Sequence, residues 1–444
     1  MKRFLFLLVC IFPLCAFSQF NVGHRTITYN DPARSNRAIE CEIYYPGVSA
    51  GDNVDVIAGE FPIIVFGHGF AMQTGAYPNF WNEYVPKGYI MVFPTTEGGT
   101  IFPPPDHGEF GADLKFLVNE MQTQGQSSGS PFFQSIASRS AIMGHSMGGG
   151  ATFIAASGFN NVDCVIGLAP AETDPSAIAA AANVSAPVLI FSGSSDGVTP
   201  PNENHIPIYN ASASSCKYFV SIENGSHCYF ASNTFTCTLG EIIPGSLPAE
   251  DQRQVTYAVL TPWLDYFLKD DCDAWDDFET ALASETDLGT INSDCENDAP
   301  VIVDNNGTLE SNQQSNYQWY LNGSPLPNED QQTHTYSQSG SYQVGSTIIG
   351  NCPTLSNEIT VQITGIEEIR LEVKFGNETV EIQSLGNLQN VRLEWLDASG
   401  RILQESSFSN LAANGRIIVE RPQYQGLKLL RLRSNKISKV WKVI

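Results

Sequence analysis

The chain has 444 residues, enough for two or three domains, and its 23 Lys and Arg against 47 Asp and Glu give a net charge of −24. Such an excess of negative charge repels nucleic acid phosphates and anionic membranes, so DNA-binding and RNA-binding functions are excluded. Beyond the N-terminus, no segment of the sequence is long and apolar enough to predict a transmembrane helix.

The first 19 residues have the pattern of a secretory signal peptide. Lys2 and Arg3 precede a short apolar run at residues 4–17, which is too short to span a bilayer. Neither Cys10 nor Cys15 follows the small residue of a lipoprotein cleavage site. Without these two, eight cysteines remain, an even number typical of disulfides. We therefore predict an exported protein, secreted or at the cell surface after passing through the periplasm.

A buried strand is predicted at residues 61–66, Phe-Pro-Ile-Ile-Val-Phe. It leads into the turn Gly-His-Gly-Phe at residues 67–70, whose glycines allow the backbone to approach a ligand closely. The backbone N–H of Phe70 is therefore a predicted donor to an oxyanion. His68 is expected to shape this turn and not to act as a base.

Residues 144–150, Gly-His-Ser-Met-Gly-Gly-Gly, have the G-x-S-x-G pattern of a nucleophile elbow. A strand-like run at residues 140–143 precedes them, and a helical run follows. Small residues are required on both sides of the serine because the turn is tight. We predict Ser146 as the nucleophile and the backbone N–H of Met147 as the second oxyanion donor, with His145 lining the site.

A serine nucleophile needs a histidine base, and that histidine needs an acid to fix its tautomer. Asp196 follows a strand predicted at residues 187–193, and His227 follows another at residues 216–222. Both lie just after the carboxyl ends of strands, where α/β sheets place their chemistry. The chain order Ser146, Asp196, His227 is that of α/β-hydrolases.

The sequence contains other titratable residues that compete for these roles. Asp163 and Asp174 compete for the role of the acid, but Asp163 precedes a strand and Asp174 lies in a loop. Four further histidines are expected at the surface or in loops: His24, His107, His205 and His334. The sequence contains no metal-binding motif, so we predict neither a metal nor a cofactor.

Helical segments at residues 111–121, 150–157 and 252–267 alternate with the apolar strands, which predicts a mostly parallel sheet. Residues 269–299 are acidic and polar and are interpreted as a closing segment and a linker.

Residues 20–296 resemble the polyesterase, lipase and cutinase family of α/β-hydrolases, which includes poly(ethylene terephthalate) hydrolases. The segments that carry this resemblance are residues 144–150, 187–191, 205–209 and 224–227. The resemblance implies Ser146, Asp196 and His227 as the catalytic triad, with backbone donors at Phe70 and Met147. The turn at residues 67–70 is also similar to that of plant chlorophyllases, so the acyl and alcohol groups stay open.

The sequence departs from this family in two loops. Residues 168–175 lack the tryptophan that polyester hydrolases usually carry there, which predicts a wider, more acidic cleft and argues against activity on aromatic polyesters. The segment at residues 228–244 is longer and richer in aromatic residues than in a minimal cutinase, and it could cover the site. Tyr229 either contacts substrate there or packs with Phe230 in an ordinary loop.

The resemblance also implies a disulfide at the end of the hydrolase domain, for which Cys272 with Cys295 is the first choice. Cys228 with Cys237 is the second choice, because this bond would pin the loop that carries His227. Cys41 and Cys164 lie in apolar surroundings and are alternatives as buried free thiols.

From residue 299 the sequence changes to short alternating strands at residues 317–323, 340–344 and 358–363. This segment resembles bacterial immunoglobulin-like modules, with Trp319 and Tyr342 expected in the core.

The last segment repeats the β pattern at residues 391–396 and 427–432, with an Asp-Ala-Ser-Gly turn at residues 397–400. The net charge is −29 over residues 20–365 but +3 over residues 366–444, which indicates different modules. The basic C-terminal segment at residues 436–444 completes a resemblance to the C-terminal sorting domain of the type IX secretion system of Bacteroidota. This implies the secretion machinery as a partner.

Together these patterns predict an α/β-hydrolase fold with a mostly parallel sheet, followed by two small all-β sandwich domains. The predicted boundaries are residues 1–19, 20–297, 298–364 and 365–444. The predicted function is a secreted serine esterase that cleaves carboxylic esters of a small molecule, lipid or polyester through an acyl-enzyme. A peptidase or amidase on the same fold, or a surface adhesion protein without turnover, are the alternatives.

Overall fold

A computed structural model describes residues 19–99, 101–232, 235–295, 299–312, 316–347, 349–363, 371–424 and 426–443. The predicted signal peptide, apart from Gln19, and the predicted boundaries at residues 297–298 and 364–365 lie outside the described residues. The chain divides into two compact units. One comprises Met1–Val301, Gln313–Gln318 and Val344–Ser356, and the other comprises Ile302–Asn312, Trp319–Gln343 and Asn357–Ile444.

The first unit is built on a ten-stranded sheet in the order β10-β9-β8-β7-β6-β4-β5-β2-β1-β3. Its strands are β1 Asn21–Asp31, β2 Arg37–Gly47, β3 Gly51–Asp52, β4 Phe61–Gly67, β5 Ile90–Pro94, β6 Ile136–His145, β7 Cys164–Leu168, β8 Val188–Gly193, β9 Cys216–Ile222 and β10 Leu288–Cys295. The six central strands, from β9 to β5 in this order, run parallel, and antiparallel pairs flank them on both sides. The predicted mostly parallel sheet is confirmed.

Eight α-helices accompany this sheet in the described part of the chain. They are α1 Pro78–Tyr84, α2 His107–Gln126, α3 Met147–Ala156, α4 Ala177–Ala181, α5 His205–Ala211, α6 Phe235–Thr238, α7 Ala249–Lys269 and α8 Ala274–Ser284. None of the described helices is long and apolar enough to cross a membrane.

The central strands are apolar on both faces because helices cover both faces of the sheet. Every residue of β4, β8 and β9 is buried, as is usual in parallel sheets of α/β proteins. Two separate core clusters lie on the two faces, one including Phe66 and Trp263 and the other including Val65 and Phe153. The carboxyl ends of the parallel strands therefore meet along one protected edge, where loops can assemble a site.

A linker is the wrong interpretation of residues 269–295, which close the sheet of the first unit, whereas residues 296–298 lie outside the described part of the chain. The structure has helix α8 and the edge strand β10 there, and β10 pairs antiparallel with β9. Helix α8 buries Ala274, Phe278 and Ala281, which follow each other at helical spacing inside an acidic stretch. Because acidic residues separate these apolar ones in the sequence, the composition of the stretch does not indicate an apolar helix face.

Three disulfides lie among the described residues of the first unit, and they correct the first predicted pairing. Cys295 bonds to Cys216 because it lies directly opposite it on the neighbouring strand, so Cys272 does not pair with Cys295. Cys272 bonds instead to Cys352, from the Val344–Ser356 segment of the same unit. The remaining bond joins the second predicted pair, Cys228 and Cys237.

The two thiols outside these bonds, Cys41 and Cys164, are free and fully buried. This agrees with the alternative that placed them in apolar surroundings.

The Val344–Ser356 segment packs into the core of the first unit. Ile349 and Cys352 are buried in the same cluster as Trp263 and Trp275. The Tyr266 hydroxyl donates to the backbone carbonyl of Ile349 at 3.3 Å. This segment is therefore part of the core of the first unit although it lies far along the chain.

The rest of the chain consists of short antiparallel strands, as predicted. They are β11 Ile302–Asp304, β12 Thr308–Ser311, β13 Tyr317–Leu321, β14 Ser324–Pro325, β15 Thr333–Thr335, β16 Gly340–Ser346, β17 Thr354–Leu355, β18 Ile359–Val361, β19 Leu371–Phe375, β20 Thr379–Ser384, β21 Leu388–Asp397, β22 Ile402–Leu411, β23 Arg416–Glu420, β24 Lys428–Arg433 and β25 Ser438–Val443. The sheets β19-β20-β23 and β22-β21-β24-β25 share one apolar core that includes Ile382, Trp395 and Leu430. Two sheets with a common core are the arrangement of a β-sandwich.

Trp319 and Tyr342 are both buried in the second unit. His334 lies between their rings, with ring centroids 5.5 and 5.4 Å away, and it is almost fully buried. The expectation of a surface position for His334 is wrong, because the aromatic neighbours that enclose it come from other strands.

Candidate active site

Ser146 lies between β6 and α3 in a sharply turned backbone with φ 58° and ψ −121°. A non-glycine residue rarely has this conformation, so the surrounding hydrogen bonds must hold it. The Ser146 N–H donates to the Leu168 carbonyl at 2.9 Å, and its carbonyl accepts from Gly150 and Ala171 at 3.0 and 2.9 Å. The strand-to-helix turn expected from the sequence is therefore present.

The glycines around Ser146 allow the backbones to approach one another closely. A Cβ on Gly144 would lie 2.3 Å from the Gly148 carbonyl oxygen, and one on Gly148 would lie 2.1 Å from the Gly67 carbonyl oxygen. Both distances are far below any tolerable contact, and the obstructing atoms are backbone. Glycine at position 148 thus lets the first turn of α3 pack against the turn that follows β4.

Ser146, His227 and Asp196 form a continuous chain of hydrogen bonds. The Ser146 Oγ lies 2.9 Å from His227 Nε2, and His227 Nδ1 lies 2.7 Å from Asp196 Oδ2. The three residues follow β6, β8 and β9, so neighbouring strand ends bring them together. All three side chains are almost entirely buried, which strengthens the electrostatic interactions among them.

Asp196 is held as a carboxylate by several donors. Burial alone would raise its pKa, but hydrogen bonds from His227 and the surrounding backbone outweigh burial and hold the pKa below its usual value. Its Oδ1 accepts from the backbone N–H groups of Val198 and Thr199 at 2.9 and 2.8 Å. Its Oδ2 accepts from the Thr199 hydroxyl as well as from His227.

The two competing acids lie elsewhere. Asp163 pairs with Arg139 and accepts from the Ser140 N–H, which ties together the starts of β6 and β7. Asp174 is exposed, and its N–H donates to a ring nitrogen of His107. Neither is bonded to His227 in the structure.

His145 does not line the surface of the site, in contrast to the expectation from the sequence. It is fully buried, and its Nε2 lies 3.0 Å from the backbone carbonyl of His227. Its Nδ1 lies 3.0 Å from the hydroxyl of Tyr77, which in turn accepts from the Gly69 N–H at 2.8 Å. The ring thus links the loop of the base to the turn after β4.

The two predicted oxyanion donors lie on these same turns. Met147 is the first residue of α3, and the N–H groups of a first helical turn have no partner within the helix. Phe70 follows Gly69, whose N–H is fixed by Tyr77. The side chain of Phe70 is 46 % exposed, whereas that of Met147 is buried, so only Phe70 is accessible to a substrate.

The loop after His227 is fixed by Glu241. Its two carboxylate oxygens accept from the backbone N–H groups of His227 and Cys228 at 2.7 and 3.0 Å. Tyr229 is half-buried, and Phe230 is buried 6.1 Å from the ring of His145. Phe230 thus packs, whereas Tyr229 keeps part of its ring exposed.

Large apolar side chains are exposed on the short helix α6 and on loops that follow the carboxyl ends of the strands. They are Phe70, Ile101, Phe102, Val198, Phe235, Leu239, Ile242 and Ile243. A separate cavity of about 670 Å³ lies beside Phe20, Phe61 and Lys269. Its lining does not include Ser146, Asp196 or His227.

The surface expectation for His205 is wrong. It is fully buried at the start of α5, where Ser192 and Thr199 contact its two ring nitrogens. Sequence analysis also missed Tyr77, Thr199 and Glu241 as neighbours of the candidate site. Only Thr199 has a local signal, since an aspartate in a turn commonly accepts from the backbone N–H groups of the residues that follow it.

The described residues contain no group of three or more His, Cys, Asp or Glu side chains arranged to hold a metal ion.

Acid is expected to destabilise the fold through His145 and His205. Burial lowers the pKa of each to about 3. The unfolded chain binds these protons near pH 6.5. Between about pH 6.5 and 3 the unfolded state therefore holds more protons, and the free energy of unfolding falls as the pH falls, by about 3 kcal/mol per pH unit for the two together.

Urea unfolding at a series of pH values measures this slope. The His205→Gln variant should lose about half of it, because one of the two titrating groups is gone. A free energy of unfolding that stays constant from about pH 6 to 4 would contradict the assignment of two neutral buried imidazoles.

Comparison with known proteins gives matches in the first unit. A family model described as PET hydrolase-like matches residues 21–243, half of the chain. The bis(hydroxyethyl) terephthalate hydrolase of Streptomyces coelicolor is 27% identical over 201 residues, which cover 45% of this chain and 58% of that protein. The cutinase est1 of Thermobifida alba is 35% identical over 105 residues, 23% of this chain and 33% of that protein. The chain thus spans less than two thirds of the length of either relative.

Proposed function

The chain belongs to the PET hydrolase-like family, and from this we propose that it is a serine carboxylic-ester hydrolase with Ser146, His227 and Asp196 as its catalytic triad. The observation that supports this most directly is the unbroken chain of hydrogen bonds, 2.9 Å from serine to histidine and 2.7 Å from histidine to aspartate. Two relatives whose names describe ester hydrolases support the same bond type.

In the proposed first step, the Ser146 Oγ attacks the ester carbonyl carbon while its proton passes to His227 Nε2. Asp196 keeps the imidazole in the tautomer with Nδ1–H and stabilises the imidazolium that forms. The negative charge on the carbonyl oxygen is held by the backbone N–H groups of Phe70 and Met147, and each such donor contributes about 10²- to 10³-fold to the rate. His227 then gives the proton to the departing alcohol, leaving an acyl group on Ser146.

In the second step, His227 takes a proton from water, and the resulting nucleophile attacks the acyl-enzyme. The tetrahedral intermediate collapses, Ser146 recovers its proton, and a carboxylic acid leaves. This product ionises at neutral pH. The strongly acidic domain then repels the product, which favours its release.

The proposed substrates are uncharged esters. Exposed apolar side chains such as Phe70, Phe102 and Ile242 can contact acyl chains or rings. By name, one relative acts on bis(hydroxyethyl) terephthalate, a small aromatic diester, and we propose that this chain accepts esters of that size. Residues 168–175 supply no tryptophan to stack on an aromatic polymer unit.

We further propose that the protein is exported. The pattern of residues 1–19 and three disulfides support an oxidising compartment. The small antiparallel sheets support an immunoglobulin-like module followed by a type IX sorting domain, whose partner would be the secretion machinery. The turn at residues 397–400, in which Asp397 accepts from Ser399 and Arg401, belongs to that second resemblance.

The proposed function is tested with residues 20–444 purified with their disulfides intact. Release of p-nitrophenol from acetate, butyrate and octanoate esters should be rapid, whereas the matching p-nitroanilides should be cleaved far more slowly. A fluorophosphonate should label Ser146, as read by peptide mass spectrometry, and leave the exposed Ser138 unlabelled. Preferential cleavage of the anilides would point to an amidase, and intact protein without labelling or turnover would contradict an enzyme.

A further inference from the structure

A second buried imidazole lies behind the proposed catalytic acid. His205 is fully buried as the first residue of α5, and its Nε2 is 3.7 Å from Asp196 Oδ2. The Thr199 hydroxyl lies between them, 3.0 Å from His205 Nε2 and 3.0 Å from Asp196 Oδ2. On its other side, His205 Nδ1 is 2.8 Å from the Ser192 Oγ. The acid is therefore contacted by two separate histidine side chains, directly or through one hydroxyl.

The direction of each hydrogen bond follows from the carboxylate. An ionised carboxylate only accepts, so the Thr199 hydroxyl donates its single proton to Asp196. The Thr199 oxygen then accepts from His205 Nε2–H, which leaves Nδ1 without a proton to accept from the Ser192 hydroxyl. This direction satisfies all four groups at once and requires a neutral His205. Burial supports neutrality, because it lowers the pKa of this imidazole to about 3.

Thr199 also contacts the proposed base. Its Oγ1 lies 2.9 Å from His227 Nδ1, next to the 2.7 Å bond from that nitrogen to Asp196. The N–H of the base thus faces two oxygens, one charged and one neutral. The position of the Thr199 hydroxyl consequently affects the strength of the electrostatic interaction between the Asp196 carboxylate and the imidazole.

We propose that Thr199, oriented by His205 and Ser192, is a positioning residue that shares the charge of Asp196 and thereby weakens the hold of this carboxylate on the proton at His227 Nδ1. This inference rests on the proposed triad. A donor to a carboxylate reduces the negative charge available to the opposite partner.

Other titratable groups also surround His227. His145 packs on it with a ring distance of 4.8 Å, and Glu241 contacts its backbone N–H and not its ring. Asp196 and His205 lie on the Nδ1 side. Among these, only Asp196 carries charge next to the ring, so changing its donors is the most direct way to alter the titration of His227 without changing a charge.

The test is the Thr199→Val variant of residues 20–444, which keeps the shape of the side chain and removes only the hydroxyl. Thr199→Ser is the matched control, because it keeps the hydroxyl. We expect Thr199→Val to move the acid limb of the pH profile of kcat/KM upward by roughly one pH unit, since one hydrogen bond to a charged group is lost. Thr199→Ser should keep the wild-type limb.

A second measurement does not depend on turnover. The Nδ1–H proton of His227 can be followed by NMR at low field as a function of pH, with His227→Gln to assign it. The same upward shift of the titration is expected in Thr199→Val.

The positioning role is overturned if the wild type hydrolyses esters but Thr199→Val shifts neither the acid limb of the pH profile of kcat/KM nor the NMR titration. This holds even if kcat falls, because a purely structural defect changes kcat alone. A shifted titration in a protein whose wild type cleaves no ester would support the positioning role and overturn the proposed function instead.

Discussion

Replacing Ser146 with alanine is expected to lower kcat for p-nitrophenyl butyrate by about 10⁶-fold, the loss seen when the nucleophile of a serine triad is removed. Without Oγ no acyl-enzyme can form, and the only remaining contributions are those of the oxyanion donors and of substrate binding, about 10³- to 10⁴-fold over water. The substitution removes only the Ser146 Oγ, which in the described structure is hydrogen-bonded to His227 Nε2 and to no other atom. The turn itself is held by backbone hydrogen bonds, so the fold should persist.

Ser138→Ala is the matched control, since Ser138 is exposed near the start of the same strand, β6. Its kinetics should equal those of the wild type. Thermal unfolding of both variants separates loss of chemistry from loss of structure. Turnover by Ser146→Ala at a rate near that of the wild type would assign the chemistry to a different group.

The second large effect is expected for Asp196→Asn, which should lower kcat by about 10⁴-fold. Asparagine occupies the same space, but its amide can donate to His227 Nδ1 and so stabilise the wrong tautomer, in which Nε2 carries the proton and cannot accept one from Ser146. The loss should appear mostly in kcat, because Asp196 is buried and has no access to the substrate.

Asp174→Asn controls for the change of charge. Asp174 is exposed and was one of the two other acids that the sequence allowed, so its variant should keep full activity. If Asp174→Asn were the inactive variant and Asp196→Asn the active one, the assignment of the acid would be wrong.

The elements that could be predicted from the sequence are those defined by local patterns. A pattern of fewer than about ten residues is enough to predict each of the buried strands β4, β8 and β9. The same is true of the glycine-rich turn around Ser146. Because these strands are parallel, their carboxyl ends meet at one edge, and that rule brings Asp196 and His227 towards Ser146 without further information.

What could not be predicted depends on residues far apart in the chain. The burial of His205 follows from contacts with Ser192 and Thr199 and from the position of α5 against the sheet, and the hydrophilic residues before it give no sign of this. The sequence predicts that His145 lines the site, because it lies beside the nucleophile. Its orientation is set instead by Tyr77, on a loop between β4 and α1.

The acidic stretch before β10 shows a different reason for failure. Its charged residues suggested a linker, but a helix needs only every third or fourth side chain to be apolar. Cys295 is assigned to Cys216 only once β10 is known to pair with β9, so an error in one element produced an error in the disulfide.

The bond between Cys272 and Cys352 determines how this protein can be divided. A fragment that ends near residue 297 corresponds to the predicted hydrolase domain. It would lack Ile349 and Cys352 and would leave Cys272 as an unpaired thiol on the surface. During synthesis, the final covalent closure of the hydrolase has to wait until residue 352 has emerged. An exchange of the first unit between such proteins would therefore have to include the Val344–Ser356 segment.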